Sequence, residues 1–295
     1  MNSITSCNTT QCSQQWHEQA LELLQTGLSW RKIAKELNIP KSTCSDWLRK
    51  QIATEKKQER VFHKPFKKER TSQNNECILF ISDLHAPYNH KDAVGFLEGL
   101  RDKYKPTRII SLGDELDHSA LSYHESDPNL MSAGDELEAA RKTIAELHKL
   151  FPNMDIMESN HGSMVFRKAK THGIPRQYIK SYREVLGVGE GWKWHYDLTT
   201  ILPDGSDLYV HHGRAADALK LSQQMGMSVV QGHYHTKFKA DYWSNPRALM
   251  FALQCGCLID DESLAYSYNN VNIQRPIIGT ALIVDSKPVL EPMKL

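Results

Sequence analysis

Residues 77–85 read CILFISDLH, and residues 108–117 read RIISLGDELD. In each stretch a short apolar run rich in β-branched residues ends in polar side chains, which is typical of a buried strand that runs into a loop. Between them, residues 92–104 (DAVGFLEGLRDKY) have the apolar spacing of a helix. A strand, a helix and a second strand in this order predict a βαβ unit, and therefore a layered α/β fold.

The same alternation continues on both sides of this unit. Residues 134–150 (GDELEAARKTIAELHKL) predict a helix, and residues 154–158 (MDIME) predict a third strand. From residue 192 onward we expect strands in the runs WKWHYDLTTIL, DLYVH, SVVQGH, TKFKADYW, RALMFALQ and GTALIVD. The first half is βαβαβ and the second half is richer in strands, which predicts a sandwich of two mixed sheets with flanking helices.

Polar side chains of the kind that bind metals follow five of these strands. They are Asp83 with His85, Asp114 with Asp117, Asn160 with His161, His211 with His212, and His233 with His235. Strand ends of a layered α/β fold deliver side chains into one shared crevice. Two divalent ions about 3.5–4 Å apart in such a crevice can hold a phosphate and activate water. Imidazole with carboxylate suits Mn, Fe, Zn or Ni better than Mg or Ca alone.

These clusters resemble the calcineurin-like metallophosphoesterase superfamily over about residues 77–285. Its pattern is D-x-H, G-D-x-x-D, G-N-H-(D/E), H and G-H-x-H, in this order. The resemblance implies a four-layer α/β/β/α sandwich and two divalent metal ions, with manganese favoured and iron, zinc, nickel or magnesium as alternatives. It implies that Asp83, His85, Asp114 and His235 hold one metal. It also implies that Asp114 bridges to a second metal, held by Asn160, His212 and His233.

Two of the motifs depart from this pattern or leave a choice. In the family the histidine equivalent to His161 protonates the leaving oxygen or stabilises its charge, and an acid orients it. The third motif here is SNHG, so Gly162 stands where the acid is expected and Ser159 stands for glycine. We expect Asp117, His118 or Glu115 to compensate. Asp117 is also kept as an alternative metal ligand or as a residue that supports one.

The fourth motif contains two adjacent histidines, which would point to opposite faces of a strand. We prefer His212 as the ligand, because the family often writes this motif as His-Gly, and keep His211 as the alternative ligand.

The substrate is expected to meet basic residues near these motifs. Arg214 follows the fourth motif and is a candidate ligand for phosphate oxygens. A basic run over residues 162–183 includes Arg167. This run predicts either a cap over the substrate or a solvated helix face.

An N-terminal segment, residues 14–51, which we call the head, has the pattern of three short helices. Its run SWRKIAKELNIPKSTCSDWL resembles a helix-turn-helix of the homeodomain-like or transposase type. Such a module places its last helix in the major groove of DNA. The outward face of that helix would carry Lys41, Ser42, Thr43, Ser45 and Arg49. The alternative is a trihelical module for protein interaction or oligomerisation. A basic linker, residues 52–76, leads to the body, residues 77–295.

Charge is distributed unevenly along the chain. Residues 1–70 contain 13 Lys and Arg against 7 Asp and Glu, although the whole chain has a net charge of only +1. A basic N-terminal part on an acidic body favours an anionic partner such as DNA. No apolar stretch approaches the roughly 20 residues that span a bilayer, so we expect no membrane partner. The sequence predicts no particular oligomeric state.

Cellular location is suggested by the cysteines and the N-terminus. The six cysteines have no zinc-ligand or CxxC spacing, and the N-terminus lacks the basic start and apolar run of a signal peptide. Both features predict free thiols and a cytoplasmic protein. The combination of head and body also resembles bacteriophage-encoded proteins, in which case the location is the host cytoplasm.

Three functions follow from these features. The first is a phosphodiesterase or nuclease that acts on DNA, to which the head directs it. The second is a phosphatase or phosphodiesterase for a nucleotide or another small phosphoester. The third is a DNA-binding regulator without catalysis, which the complete set of expected ligands argues against.

Overall fold

The computed structural model describes residues 16–17, 19–24, 28–50, 76–122, 127–263 and 274–293. The chain divides into two compact units, Met1–Pro65, which contains the head, and Phe66–Leu295, which contains the body. The predicted basic linker lies outside the described residues except for Glu76, and so do Cys7 and Cys12. The described cysteines, Cys44, Cys77, Cys255 and Cys257, are free thiols and are buried.

The head contains helical residues at 19–24, at Trp30–Glu36 (α1) and at 41–50. Its core is a cluster of small and apolar side chains: Ala20, Ile33, Ala34, Cys44 and Leu48. Asn38 has a left-handed φ of 52° in the turn after α1, and Pro40 directly precedes the third helical stretch. Ser29 occupies the N-cap position of α1, but its side chain makes no capping hydrogen bond. Three helices are therefore present, while DNA binding by the head remains a prediction.

The body contains eleven strands among the described residues. They are β1 Cys77–Ile81, β2 Arg108–Ser111, β3 Met154–Met157, β4 Trp192–His195, β5 Leu198–Ile201, β6 Asp207–His211, β7 Ser228–Gln231, β8 Phe238–Ser244, β9 Leu249–Cys255, β10 Gly279–Val284 and β11 Lys287–Pro292. One sheet has the order β11-β10-β1-β2-β3-β4, and the other has the order β5-β6-β7-β9-β8. Both sheets combine parallel and antiparallel pairs, so the predicted pair of mixed sheets is confirmed.

Two details differ from the sequence-based expectation. The run WKWHYDLTTIL forms two strands, because the chain leaves the first sheet after His195 and enters the second at Leu198. Strand β11 was not predicted, since Pro288 and Pro292 disfavour a strand. It is nevertheless compatible with proline because it lies at the edge of its sheet. Its outer side pairs with no other described strand of the sheet, so a missing N–H on that side removes no hydrogen bond between strands.

The two sheets pack face to face between outer helices. Ile78 and Phe80 of β1 face the other sheet and join a cluster with Val210 and Leu253. The alternate residues of β1 face the opposite side, where they pack under helices α2 (Ala93–Tyr104) and α3 (Ala133–Leu150). On the far side, helix α6 (Ala218–Met225) covers the second sheet. The order helix, sheet, sheet, helix is the expected four-layer architecture.

Shorter helices complete the body. Helices α4 (Met164–Thr171) and α5 (Tyr182–Leu186) follow β3 within the basic run, and 3-10 turns lie at Ser119–Leu121 and Arg176–Tyr178. Helices α2 and α3 were predicted, and α6 was not. Helix α4 and the start of α5 lie in the basic run, for which a solvated helix face was one of the two expectations. None of the described helices combines the length and the apolar character needed to cross a membrane.

Candidate metal centre

The candidate ligands lie in loops that leave the strand ends with unusual backbone conformations. Asp83, His85, Asp114 and His233 have φ values of 49°, 52°, 54° and 67°. This left-handed region is uncommon for residues other than glycine, although Asp and His tolerate it better than most. Such conformations persist where the surrounding structure enforces them, and they concentrate at functional sites. The loops therefore bend sharply to aim these four side chains.

The first cluster consists of Asp83, His85 and His235, whose candidate ligand atoms all lie within 4.8 Å of one another. The Nε2 atom of His235 is 3.5 Å from Oδ1 of Asp83. The backbone N–H of His233 donates to both carboxylate oxygens of Asp83 at 3.0 Å, and the Ser82 hydroxyl donates to Oδ2. Asp83 is thus fully buried and held in one orientation.

The second cluster consists of Asp114, His212 and His233, with candidate ligand atoms again within 4.8 Å. The Nε2 atom of His212 is 3.2 Å from Oδ2 of Asp114 and 2.7 Å from Oδ1 of Asn160. Its Nδ1 atom donates to the carbonyl of Leu112 at 2.7 Å. That bond fixes the tautomer of neutral His212, so its Nε2 lone pair faces two oxygen atoms.

Asp114 lies between the two clusters. Its Oδ2 atom is 3.6 Å from Nε2 of His85 in the first cluster and 3.2 Å from Nε2 of His212 in the second. Its Oδ1 atom accepts from the backbone N–H of His161 at 3.0 Å, and its own N–H donates to Oγ of Ser159 at 3.0 Å. One carboxylate oxygen is therefore held by the backbone, and the other faces both groups of histidines.

The electrostatics of this arrangement suit cations. Although burial opposes it, His212 and His161 hold the pKa of Asp114 well below its ordinary value. Burial also opposes protonation of His212, yet the Asp114 carboxylate raises the pKa of His212 to about 9. Three electron-pair donors, from His212, Asp114 and Asn160, meet at one point. They need either a proton or a metal ion there, and metal ions bind histidine in its neutral form. The residues present thus fit divalent metal ions.

Asp117 orients two of the histidines. Its Oδ1 atom accepts from Nδ1 of His85 at 2.7 Å, which turns Nε2 of His85 toward Asp114. Its backbone carbonyl accepts from Nδ1 of His161, and the carboxylate Oδ1 lies 3.9 Å from the same nitrogen. Of the three residues expected to compensate for Gly162, Asp117 is the one whose contact with the imidazole of His161 is described. Asp117 serves His161 mainly through its carbonyl group.

The other two residues considered for that role have different partners. The Nδ1 atom of His118 donates to the backbone carbonyl of His161 at 2.9 Å, so it supports the loop rather than the imidazole. Glu115 accepts from the Ser111 hydroxyl at 2.8 Å in the interior. Burial raises the pKa of Glu115 to about 7.

The two adjacent histidines of the fourth motif are separated as expected. His212 is buried with the second cluster, whereas the ring of His211 packs 5.5 Å from that of Tyr196. Arg214 lies on the side of His211. Its guanidinium donates to the hydroxyl of Tyr209 at 2.8 Å and lies 3.7 Å from Asp197. The structure brings neither His211 nor Arg214 into the two clusters.

Arg167 contacts the backbone of the candidate ligand Asn160. Its guanidinium donates to the backbone carbonyl of Asn160 at 2.7 Å while the residue stays exposed. In the head, Lys41, Ser42, Thr43 and Arg49 are exposed and Ser45 is half-buried.

Several residues that organise the centre were not predicted as such. Ser159 accepts from the N–H groups of Asp114 and Gly162, both at 3.0 Å, and so ties the second and third motifs together. Ser82 and the carbonyl of Leu112 hold one ligand each. The only sequence signal for Ser82 and Ser159 is their position directly beside a candidate ligand motif.

Comparisons with known proteins give structural similarity only. No protein-family model matches the chain. No curated protein matches it either. An archaeal phosphodiesterase is similar with 13% identity and a TM-score of 0.40, over 72% of this chain and 99% of that chain. YfcE, a phosphoesterase from E. coli, is similar with 12% identity and a TM-score of 0.37, over 70% of this chain and 87% of that chain. The nuclease MPE of Pseudomonas putida is similar with 12% identity and a TM-score of 0.31, over 73% of this chain and 86% of that chain. The chemistry of the centre is therefore inferred from the side chains of this chain.

Proposed function

We propose that the body is a dinuclear-metal-dependent phosphoester hydrolase. The observation that carries this proposal is the position of Asp114, whose Oδ2 atom faces His85 on one side and His212 on the other. Two cations held close together repel each other, and a shared carboxylate offsets that repulsion. A single ion would need only one of the two clusters, so a carboxylate that faces both supports a pair of ions.

The residues that would hold the metals divide as the two clusters do. Asp83, His85, Asp114 and His235 would hold one ion, and Asp114, Asn160, His212 and His233 would hold the other. Mixed imidazole and carboxylate ligands favour manganese, with iron, zinc, nickel or magnesium as alternatives. When bound, such a pair neutralises phosphate oxygens and lowers the pKa of water.

His161 is placed to act on the leaving group. Its Nδ1 atom donates to the carbonyl of Asp117, so its Nε2 atom is directed elsewhere. Its side chain is 23% exposed, whereas that of His85 beside it is 2% exposed, so His161 borders solvent at the mouth of the centre. The ring centroids of these two histidines are 4.6 Å apart. A histidine in this place can protonate or hydrogen-bond the leaving oxygen of a phosphoester.

We propose further that the substrate is DNA and that the reaction is cleavage of a phosphodiester. The support comes from the head, where Lys41, Ser42, Thr43 and Arg49 form an exposed polar face on one helical stretch. Charge supports the same partner, because residues 1–70 are strongly basic relative to the rest of the chain. A cytoplasmic location, in the host cell if the protein is phage-encoded, is part of this proposal and agrees with the free thiols.

The test uses three substrates with Mn²⁺: bis-p-nitrophenyl phosphate, p-nitrophenyl phosphate and a panel of labelled DNA. The control is Asp114→Asn, which keeps the size of the side chain and removes its charge. Cleavage of the diester and of DNA by the wild type alone is the expected result. Cleavage of the monoester without DNA would instead favour a small phosphoester as substrate. Inactivity on all three would favour a non-catalytic DNA-binding protein.

Delivery by the head is tested separately by removing residues 1–65. The expected result is unchanged hydrolysis of bis-p-nitrophenyl phosphate with weaker, less salt-dependent cleavage of DNA. Equal DNA cleavage by the shortened and full-length chains would contradict a role of the head in substrate binding.

A further inference from the structure

A cavity of about 650 Å³ lies in the body between residues 162–186 and strands β3 and β4. We call it the side cavity. Its volume is in the range of sites that bind small organic ligands. Its walls include three aromatic and three aliphatic side chains: Phe166, Tyr182, Trp194, Val165, Ile179 and Val185. A planar apolar group would therefore find matching surfaces there.

The side cavity adjoins the candidate metal centre. Ser159 and Gly162 line it, and the residues between them are Asn160 and His161. Arg167 also lines it and donates to the carbonyl of Asn160 at 2.7 Å. The side cavity and the candidate metal centre therefore share the loop of residues 159–162.

Positive charge surrounds the apolar walls. Arg167, Arg176 and Lys180 line the side cavity and are exposed to solvent. Of the three carboxylates in the lining, Glu115 is buried and bonded to Ser111, and Glu184 is engaged at the start of α5. Glu158 is the third. The exposed cations suit phosphate groups on either side of an apolar ring.

The wall formed by α5 is held in place by its own contacts. Ser181 and Glu184 form a capping box at its start. Arg183 donates to the carbonyl of Trp192 at 2.7 Å and pairs with Glu190 at 2.9 Å. The cavity is thus shaped before a ligand arrives, which reduces the entropy lost on binding.

We propose that the side cavity binds the nucleobase next to the scissile phosphate. This inference rests on the proposed phosphodiesterase function and adds the form of its substrate. A base stacks on aromatic side chains whatever its sequence, and the adjacent phosphates meet the arginines and the lysine. A base inside a double helix is stacked and cannot enter such a cavity. The preferred substrate is therefore single-stranded DNA or a frayed end.

The test compares two diesters with the same leaving group, thymidine 5′-(p-nitrophenyl phosphate) and methyl p-nitrophenyl phosphate. Val165→Phe fills the cavity from α4, and Thr171→Phe places the same ring on the exposed end of that helix as a control. We expect Val165→Phe to lower kcat/KM for the thymidine ester about tenfold or more, as loss of one stacked base would, and to leave the methyl ester unchanged. Thr171→Phe should affect neither ester. Equal effects of Val165→Phe on both esters, or none, would overturn the inference.

A binding measurement separates this inference from the proposed function. Thymidine 5′-monophosphate is titrated into the full chain while tryptophan fluorescence is followed, with Trp194→Phe to identify the signal from the cavity wall. If Val165→Phe is poorly folded by circular dichroism, Ile179→Phe fills the same space from another wall without adding a tryptophan. Nucleotide binding that is lost in the filled variants supports the cavity even if no ester is hydrolysed. If the esters are hydrolysed and the filled variants still bind the nucleotide as well as the wild type does, the cavity does not bind the base. The proposed hydrolase function then still stands.

Discussion

Replacing Asp117 with asparagine should weaken metal binding without removing a side chain of the two clusters. Asp117 accepts from Nδ1 of His85 at 2.7 Å, and the two side chains are only 6% and 2% exposed. The carboxylate holds the imidazole so that Nε2 faces Asp114, and its charge makes that nitrogen a better electron donor. Asparagine can still accept the hydrogen bond, but it lacks the charge.

The expected loss of metal affinity, and of the stability that the metal provides, follows from this geometry. Loss of such a partner typically lowers metal affinity about 10- to 100-fold. At a free Mn²⁺ concentration of 100 times the wild-type Kd, binding stabilises the protein by about 2.7 kcal/mol. If the affinity falls tenfold, binding stabilises the protein by about 1.4 kcal/mol, and if it falls a hundredfold, by about 0.4 kcal/mol. For a domain of this size, 1 kcal/mol corresponds to about 2–4 °C in Tm, so the Mn²⁺-dependent rise in Tm should fall by about 3–9 °C.

The assay is thermal unfolding with and without Mn²⁺, together with calorimetric titration of the metal. Asp197→Asn is the matched control, because Asp197 accepts from Tyr209 at 3.1 Å and belongs to neither cluster. It should keep the full Mn²⁺-dependent rise in Tm. An identical rise in Asp117→Asn and the wild type would show that Asp117 does not support a metal ligand.

Three further predictions concern Asp114, His161 and Asp155. Asp114→Asn should abolish Mn²⁺-dependent diester hydrolysis and reduce bound manganese from two ions per chain to one or none by elemental analysis; normal turnover would refute the shared-carboxylate arrangement. His161→Ala should slow alkyl esters more than p-nitrophenyl esters, since only poor leaving groups need a proton, and an equal loss on both would contradict that role.

Burial raises the pKa of Asp155, but hydrogen bonds from His195 and Arg108 lower it more, so the pKa lies below its ordinary value. The stability from this group is present above the unfolded pKa of about 3.9 and is lost as the pH falls through the folded value. Asp155→Asn should therefore lower the free energy of unfolding by about 1–2 kcal/mol at neutral pH, as measured by denaturant unfolding. The stability of the variant should also depend less on pH than that of the wild type below about pH 4. If the stabilities of the variant and the wild type change in parallel with pH, this role of Asp155 is contradicted.

The layered fold and the members of the two clusters could be predicted because their signals are local. The run before Asp83 is apolar and β-branched, and burial of both faces of β1 requires that composition. Polar residues directly after such runs can lie only in loops at strand ends. The separation of His211 from His212 was also accessible, since adjacent strand residues face opposite sides and the structure separates these two. The preference for His212 as the ligand came from the resemblance and not from this alternation.

Contacts between distant segments could not be predicted. The carbonyl of Leu112 fixes the tautomer of His212 across 100 residues of sequence, and backbone carbonyls carry no sequence signal. The contacts of Arg214 could not be predicted for a similar reason. Its neighbour His212 faces the clusters, but the side chain of Arg214 is held by Tyr209 and Asp197 on another side. Adjacency in sequence does not ensure a shared direction.

The departures of the third motif explain each other in the folded chain. A Cβ atom at Gly162 would lie 3.1 Å from Oγ of Ser159 and 3.4 Å from the ring of Tyr182, so a longer side chain has little room there. The Ser159 hydroxyl uses the same space to accept from Asp114 and Gly162. Ser159, at the first position of the motif, thus holds the loop together. The same side chain leaves little room at position 162, where the family has its acid. The orientation of His161 then depends on another segment, and the carbonyl of Asp117 provides it. The proton-donor role of His161 is therefore compatible with the SNHG motif.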